Sequence, residues 1–184
     1  MYLLRHGQSL FNLHFTETRR DPGIEDPELT PLGHTQAEAA AEILADTPIT
    51  RIIVSPYTRA LQTAEPVLRR HGVPVEVMHE VRERFAFACD IGRHRDLLAI
   101  AFPQHRFDHL PDQWWPGSHE SAEATIERAN RFREEVAARD DHKTTLLVSH
   151  WAFLLSLTGI SLDNGELIRF DPTEAPPETI YWRR

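Results

Sequence analysis

Apolar positions along this chain follow two alternating rhythms. Short clusters at Tyr2 to Leu4, Arg51 to Val54, Val73 to Val77 and Thr144 to Val148 read as strands, and a final pair at Leu167 to Phe170 and Thr179 to Trp182 extends the set. Between them, Thr35 to Leu44, Thr58 to Arg70 and Ala122 to Arg139 carry apolar or alanine positions three and four residues apart, which predicts amphipathic helices. A further apolar helix is expected to start at once after His150. Thr30-Pro31 and Ser121 supply N-terminal caps for the first and third of these helices. Strands that alternate with helices predict an α/β fold: three layers, α/β/α, with a mostly parallel central sheet.

The stretch from about 81 to 121 breaks the rhythm. It holds Cys89-Asp90-Ile91-Gly92, a Phe102-Pro103 interruption and Trp114-Trp115-Pro116-Gly117, and it reads as a lid-like insertion over one sheet edge. Pro172 to Pro177 reads as a loop between the last two strands. No repeats or low-complexity tracts divide the chain, so residues 1–184 are expected to form one domain.

Composition narrows the class. Hydrophobic residues at 41% and charged residues at 26% are ordinary for a chain that folds by itself. A net charge of -8 argues against nucleic acid as a partner, because phosphate-backbone binding depends on a cationic face. The same charge does not forbid a small anionic substrate, since a few arginines in a cleft set the local field. The lone Cys89 allows no intramolecular disulfide and no thiolate metal site, which points to a reducing cytoplasm. Tyr2-Leu3-Leu4 before Arg5 is too short for a secretory leader, and no apolar run reaches membrane-span length, so no membrane association is expected.

The chemistry gathers at strand exits. Arg5-His6-Gly7 follows the first strand and continues through Gln8, Ser9 and Asn12. Glycine lets backbone approach a ligand closely, and a guanidinium can fork onto two phosphate oxygens. An Arg-His-Gly tripeptide is expected by chance in roughly one chain in a hundred of this size. The second strand exits into Ser55-Pro56-Tyr57-Thr58-Arg59, which places a cation in the first turn of a helix. That placement opposes the helix dipole and invites an anionic partner. The fourth strand exits into Ser149-His150-Trp151. A lone histidine there is more often structural than catalytic; three polar strand exits together reverse that reading.

These residues resemble the histidine phosphatase superfamily, the phosphoglycerate mutase-like family, over nearly the whole chain. The resemblance rests on Leu4-Arg5-His6-Gly7-Gln8-Ser9-Leu10-Phe11-Asn12, on Leu29-Thr30-Pro31-Leu32-Gly33-His34-Thr35-Gln36-Ala37, on Ser55 to Ala64 and on Ser149-His150, in that order. Gly117 to Ser121 looks like a modified Gly-Glu-Ser element. What the resemblance implies is a phosphatase with His6 as nucleophile, Arg5 and Arg59 as phosphate clamps, His150 as transition-state stabiliser and Asn12 as a further phosphate contact, with Gln8 and Ser9 close by. Val81-Arg82-Glu83 resembles the family's donor element and implies Glu83 as proton donor, with Glu80 as the rival.

The residue types suit phosphoryl transfer, whose loose transition state is served chiefly by positioning and electrostatics. His6 must be neutral to attack, which adjacent arginines favour, and a backbone carbonyl on its other ring nitrogen would fix the tautomer. No cofactor and no metal are expected: His119-Glu120 begins like a zinc-protease helix, but Glu123 stands where the second histidine belongs. His14, His71, His79, His94, His105, His109 and His142 read as surface or structural.

Two other functions compete. A phosphoglycerate mutase-type phosphotransferase would return the phosphate to a second hydroxyl, but Glu83 is followed by Arg84-Phe85-Ala86-Phe87 instead of the mutases' Trp-Glu-Gly element. A non-catalytic phospho-ligand binding module is less favoured because no core catalytic position is missing. For the small phosphorylated substrate, Phe85, Phe87, Trp114 and Trp115 are candidate walls for an aromatic leaving group, and Arg82, Arg84, Arg93 and Arg95 are candidate partners for a second anion.

Overall fold

A computed structural model of the chain describes residues 1–182. The elements run in the order β1 (Tyr2–Arg5), α1 (Leu10–Thr18), α2 (Pro31–Ile43), β2 (Arg51–Val54), α3 (Thr58–His71), β3 (Val75–Val77), α4 (Arg95–Ala101), α5 (Ala122–Ala137), β4 (Thr145–Ser149), α6 (Trp151–Thr158) and β5 (Leu167–Arg169). Single 3-10 turns at His79–Val81, Ala88–Asp90 and His142–Thr144 complete them. No helix among the described residues is long and apolar enough to cross a membrane.

The five strands form one sheet in the order β3-β2-β4-β1-β5, parallel except for β5, which runs antiparallel to β1. Strand side chains alternate between faces, and the core splits accordingly. Leu4, Ile52, Val54, Leu146 and Val148 pack beneath α2 and α3, against Ala40, Ala41, Ala60, Leu61 and Val67. Leu3, Ile53 and Leu147 turn the other way, onto Ala129, Phe132 and Val136 of α5 and Phe153, Leu154 and Leu157 of α6. This is the expected three-layer α/β/α arrangement, and the near-continuous apolar runs of β2 and β4 follow from burial on both sides.

Three expectations change. Thr179 to Trp182 forms no strand: the chain leaves Pro176-Pro177 and carries Trp182 to Trp151, their ring centroids 6.2 Å apart, instead of pairing along the sheet. Helix α1 is an addition, started by a capping box in which the Ser9 hydroxyl accepts from Asn12 N and Asn12 Oδ1 accepts from Ser9 N. Helix α4, inside the stretch from 81 to 121, is the other; it buries only Leu98. The same stretch sends Phe107, Leu110, Trp114 and Trp115 into the core above the β3 edge, so it is anchored there.

Gly7 and Gly33 explain how the loop after β1 is held. A Cβ on Gly7 would meet the Gly33 carbonyl oxygen at 2.4 Å, and one on Gly33 would meet the Gln8 carbonyl oxygen at 2.1 Å. Absence of side chains lets the loop lie against the first turn of α2, where Thr30 N donates to Gln8 O at 2.9 Å. Gly33→Ala therefore forces backbone apart; we expect a loss of about 1–3 kcal/mol, read as a fall in Tm of roughly 3–10 °C by calorimetry. An unchanged Tm would contradict the close approach.

Candidate active site

The parallel register of β1 and β4 sets Arg5 opposite Ser149, and His6 N donates to Ser149 O at 3.0 Å. The residues that follow each strand, His6 and His150, therefore lie side by side, with ring centroids 5.0 Å apart. Strand β2 pairs with β4 on its other side and leads through Ser55 to Arg59. The three polar strand exits expected from the sequence meet at one rim, beyond the carboxyl ends of the parallel strands.

A cavity of about 270 Å³ opens there, and Arg5, His6, Ser9, Asn12, Arg59 and Glu83 all reach it. The His6 Nδ1–H donates to its own neighbour's carbonyl, Gly7 O, at 2.7 Å. A carbonyl only accepts, so Nδ1 carries a proton, and in the neutral ring the lone pair lies on Nε2. The next N–H, of Gly7, donates to Thr63 Oγ1 of α3 at 3.0 Å. Arg5 is buried and donates to Leu162 O at 2.7 Å.

Arg59 is held more elaborately. Its Nη1 donates to Cys89 O at 2.8 Å, its Nη2 lies 3.4 Å from Asp90 Oδ1, and its guanidinium sits 4.2 Å from the centre of the Tyr57 ring. Burial opposes its charge, but the nearby Asp90 and Asp26 carboxyl groups favour it, and its pKa stays above the ordinary arginine value. The start of α3 is capped from a distance: buried Asp26 accepts from Thr58 N at 2.9 Å and from the Thr58 hydroxyl at 2.5 Å. A carboxylate there suits the helix N-terminus and orients the turn that carries Arg59.

Glu83 accepts from Arg84 N at 2.9 Å and from Ala152 N, in the first turn of α6, at 2.9 Å. Burial pushes its carboxyl above the usual range, and the neighbouring Asp90 carboxylate pushes the same way. The rival, Glu80, lies about half exposed and 3.3 Å from His79, outside the cavity lining. The turn between them is fixed by Arg128, which donates to the carbonyls of Glu80 and Arg82 at 2.6 and 2.9 Å and grips Glu120 with two nitrogens.

Two expected site residues sit elsewhere than the cavity wall. Gln8 turns away: its Oε1 accepts from the Thr30 hydroxyl at 2.9 Å and its N–H donates to Gln36, so it ties the loop to α2. His150 is fully buried behind His6, its Nε2 2.7 Å from Ser55 Oγ and its ring edge-on to Tyr57. Burial, followed by the charges of Arg59 and Arg5, holds it well below the ordinary histidine pKa, so it is neutral. Asn12 borders the cavity with Oδ1 already taken by Ser9 and by Asn164 Nδ2 at 3.1 Å.

Sequence reasoning gave no role of their own to Asp26, Asp90, Ser55, Thr63 and Arg128. Asp90 stands in the Cys89-Asp90-Ile91-Gly92 stretch already marked as irregular, and its carboxylate also accepts from Ala86 N and Phe87 N, both at 3.0 Å. Burial raises its pKa despite Arg59. Of the candidate walls, Phe87 lines the cavity, whereas Trp114 and Trp115 lie in the core, Trp114 against Tyr57 at 4.7 Å. Among the candidate arginines only Arg84 reaches the cavity: Arg82 pairs with Glu120, Arg93 with Asp26 and Glu28, and Arg95 with Asp96.

The model of the histidine phosphatase superfamily (branch 1) matches residues 1–175. The chain is 31% identical over 180 residues to a glucosyl-3-phosphoglycerate phosphatase of Mycolicibacterium vanbaalenii, covering 91% of this chain and 78% of that one. It is also 31% identical over 160 residues to a probable phosphoglycerate mutase, GpmB, of Proteus mirabilis, covering 82% and 68%. The solved structure of a mycobacterial glucosyl-3-phosphoglycerate phosphatase, Rv2419c, in complex with VO3 superposes with a TM-score of 0.63 at 25% identity, over 91% of this chain and 88% of that one. With its fold, its ordered strand exits and this match across nearly its whole length, the chain belongs to the histidine phosphatase superfamily.

Proposed function

We propose that this protein is a phosphomonoesterase that hydrolyses a small phosphorylated substrate in the cytoplasm through a phosphohistidine on His6. One observation carries the reading: an imidazole whose tautomer is set by Gly7 O shares a cavity with two buried guanidiniums and a carboxyl of raised pKa. Arg5 and Arg59 neutralise the phosphate dianion, and Asn12 Nδ2, with Oδ1 engaged, adds a donor. The Nε2 lone pair of His6 forms the N–P bond as the ester P–O bond breaks, and protonated Glu83 passes its proton to the departing alkoxide. Glu83, now a carboxylate, takes a proton from water; the water oxygen attacks phosphorus, the N–P bond breaks and inorganic phosphate leaves. Positive charge comes from the two arginines, so the scheme needs no metal.

His150, buried behind His6 and outside the cavity lining, supports the site indirectly, as a neutral imidazole held to Ser55 Oγ and packed against the nucleophile's ring. Neutrality is essential to keep a third cation away from the nucleophile. In an NMR titration its ring signal should stay in the neutral position as pH falls through 6.5; a midpoint at or above that value would contradict the burial argument.

Rapid quench with a turning-over phosphomonoester should trap acid-labile, alkali-stable phosphate on the chain, and His6→Ala should abolish both the adduct and turnover. Phosphate that moves to a second hydroxyl faster than to water would replace this reading with a mutase. Glu83→Gln should lower kcat about 10²–10⁴-fold for an alkyl phosphate but far less for 4-nitrophenyl phosphate, whose leaving group needs no proton. Glu80→Gln should change neither; equal losses in the two glutamine variants would move the donor role away from Glu83.

A further inference from the structure

The phosphate end of the cavity is polar, and the rest of its wall is aromatic. Phe11 and Phe15, one turn apart on α1, stack at 5.1 Å, and Phe87 closes a triangle with them at 5.4 and 5.2 Å. Trp151, the first residue of α6, and Trp182, from the chain's last described segment, add two indoles, with the Arg84 guanidinium 5.0 Å from the centre of the Trp182 ring. These side chains come from four separate segments yet line one cavity. Phe87 is 40% exposed, although burying a phenylalanine is normally favourable. An aromatic ring left open over a catalytic cavity is a surface waiting for an apolar contact.

Among the described residues, polar groups for a sugar or glycerate leaving group are scarce in the same wall. Asp90 is committed to Ala86 N, Phe87 N and Arg59, and Ser9 to Asn12. Hydroxyls pressed against the phenylalanine triangle would lose water without gaining partners, at a cost for each. Among the described lining residues, the cation beyond the phosphate clamps is Arg84, which lies over an indole, a position from which a planar guanidinium also stacks on a ligand ring. A volume of about 270 Å³, just under the roughly 300–1,000 Å³ of pockets for drug-sized ligands, suits a phosphate joined to a single ring system.

We propose that the substrate is a monophosphate ester of an alcohol bearing one aromatic ring, seated among Phe11, Phe15, Phe87, Trp151 and Trp182. The proposal rests on the phosphomonoesterase reading and names the substrate class for that same site. Benzyl phosphate and ethyl phosphate release alcohols of similar acidity, so their ratio of kcat/KM reports recognition of the ring and not leaving-group chemistry. We expect at least about a tenfold preference for benzyl phosphate, carried mainly in KM, and a collapse of that ratio toward one in Phe87→Ala. Cyclohexylmethyl phosphate should fall between the two esters.

Equal rates on benzyl and ethyl phosphate, or a higher kcat/KM on 3-phosphoglycerate than on benzyl phosphate, would overturn the substrate class while leaving the phosphatase reading intact. A ratio unaltered in Phe87→Ala and also in Phe15→Ala would overturn the placement of the ring. Failure to hydrolyse any of the four esters would instead remove the phosphomonoesterase reading itself.

Discussion

Arg5 stands opposite Ser149 in the parallel pairing of β1 with β4, and the site depends on that register. It brings His6 beside His150 and points two strand exits at the same space, while β2, on the other side of β4, delivers Arg59. A slip of one residue would exchange the two faces of β1, sending Leu3 and Leu4 to the wrong helices and Arg5 away from the rim. Packing on both faces therefore guards the geometry: the apolar alternation that builds the core is the same constraint that holds the candidate catalytic groups in place.

The site's cations are stabilised before any anion arrives. Arg59 is fixed by a carbonyl, a buried carboxylate and a tyrosine ring, and the helix that carries it is capped by Asp26. Such preorganisation costs little reorganisation when phosphate binds, which is where electrostatic stabilisation gains its effect. The carboxylates play two parts. Asp90 offsets the charge of Arg59, and its own charge lifts the pKa of Glu83, so one acid maintains the clamp and helps keep the other protonated. Neutral His150, close to His6, avoids adding a third positive charge there.

The segment between 81 and 121 joins recognition to chemistry. Its buried half, with Leu98, Phe107, Leu110 and Trp114, packs above the β3 edge, and its opposite half delivers Glu83, Arg84, Phe87 and Asp90 to the cavity. Arg128 of α5 clamps the turn before Glu83 through two carbonyls, so the proposed donor is held by the scaffold and not by a free loop. Phe87 of the aromatic wall and the proposed proton donor are therefore carried by one anchored piece of chain.

Local pattern determined the three layers, the parallel strands and the identity of the polar strand exits, because periodicity of two or of three to four residues and the residues that follow each strand are written along the chain. The Arg5-His6, Arg59 and Ser149-His150 elements were legible for that reason, and the Ser9–Asn12 cap that begins α1 was legible in principle. Only tertiary structure decided which side chains share the cavity. Asp26, Asp90 and Asn164 reach their partners across 32, 31 and 152 residues, and no periodicity spans such separations. Trp114 and Phe87 are both aromatic residues of the same irregular stretch, yet one fills the core and the other faces the site, since burial depends on what packs opposite each ring.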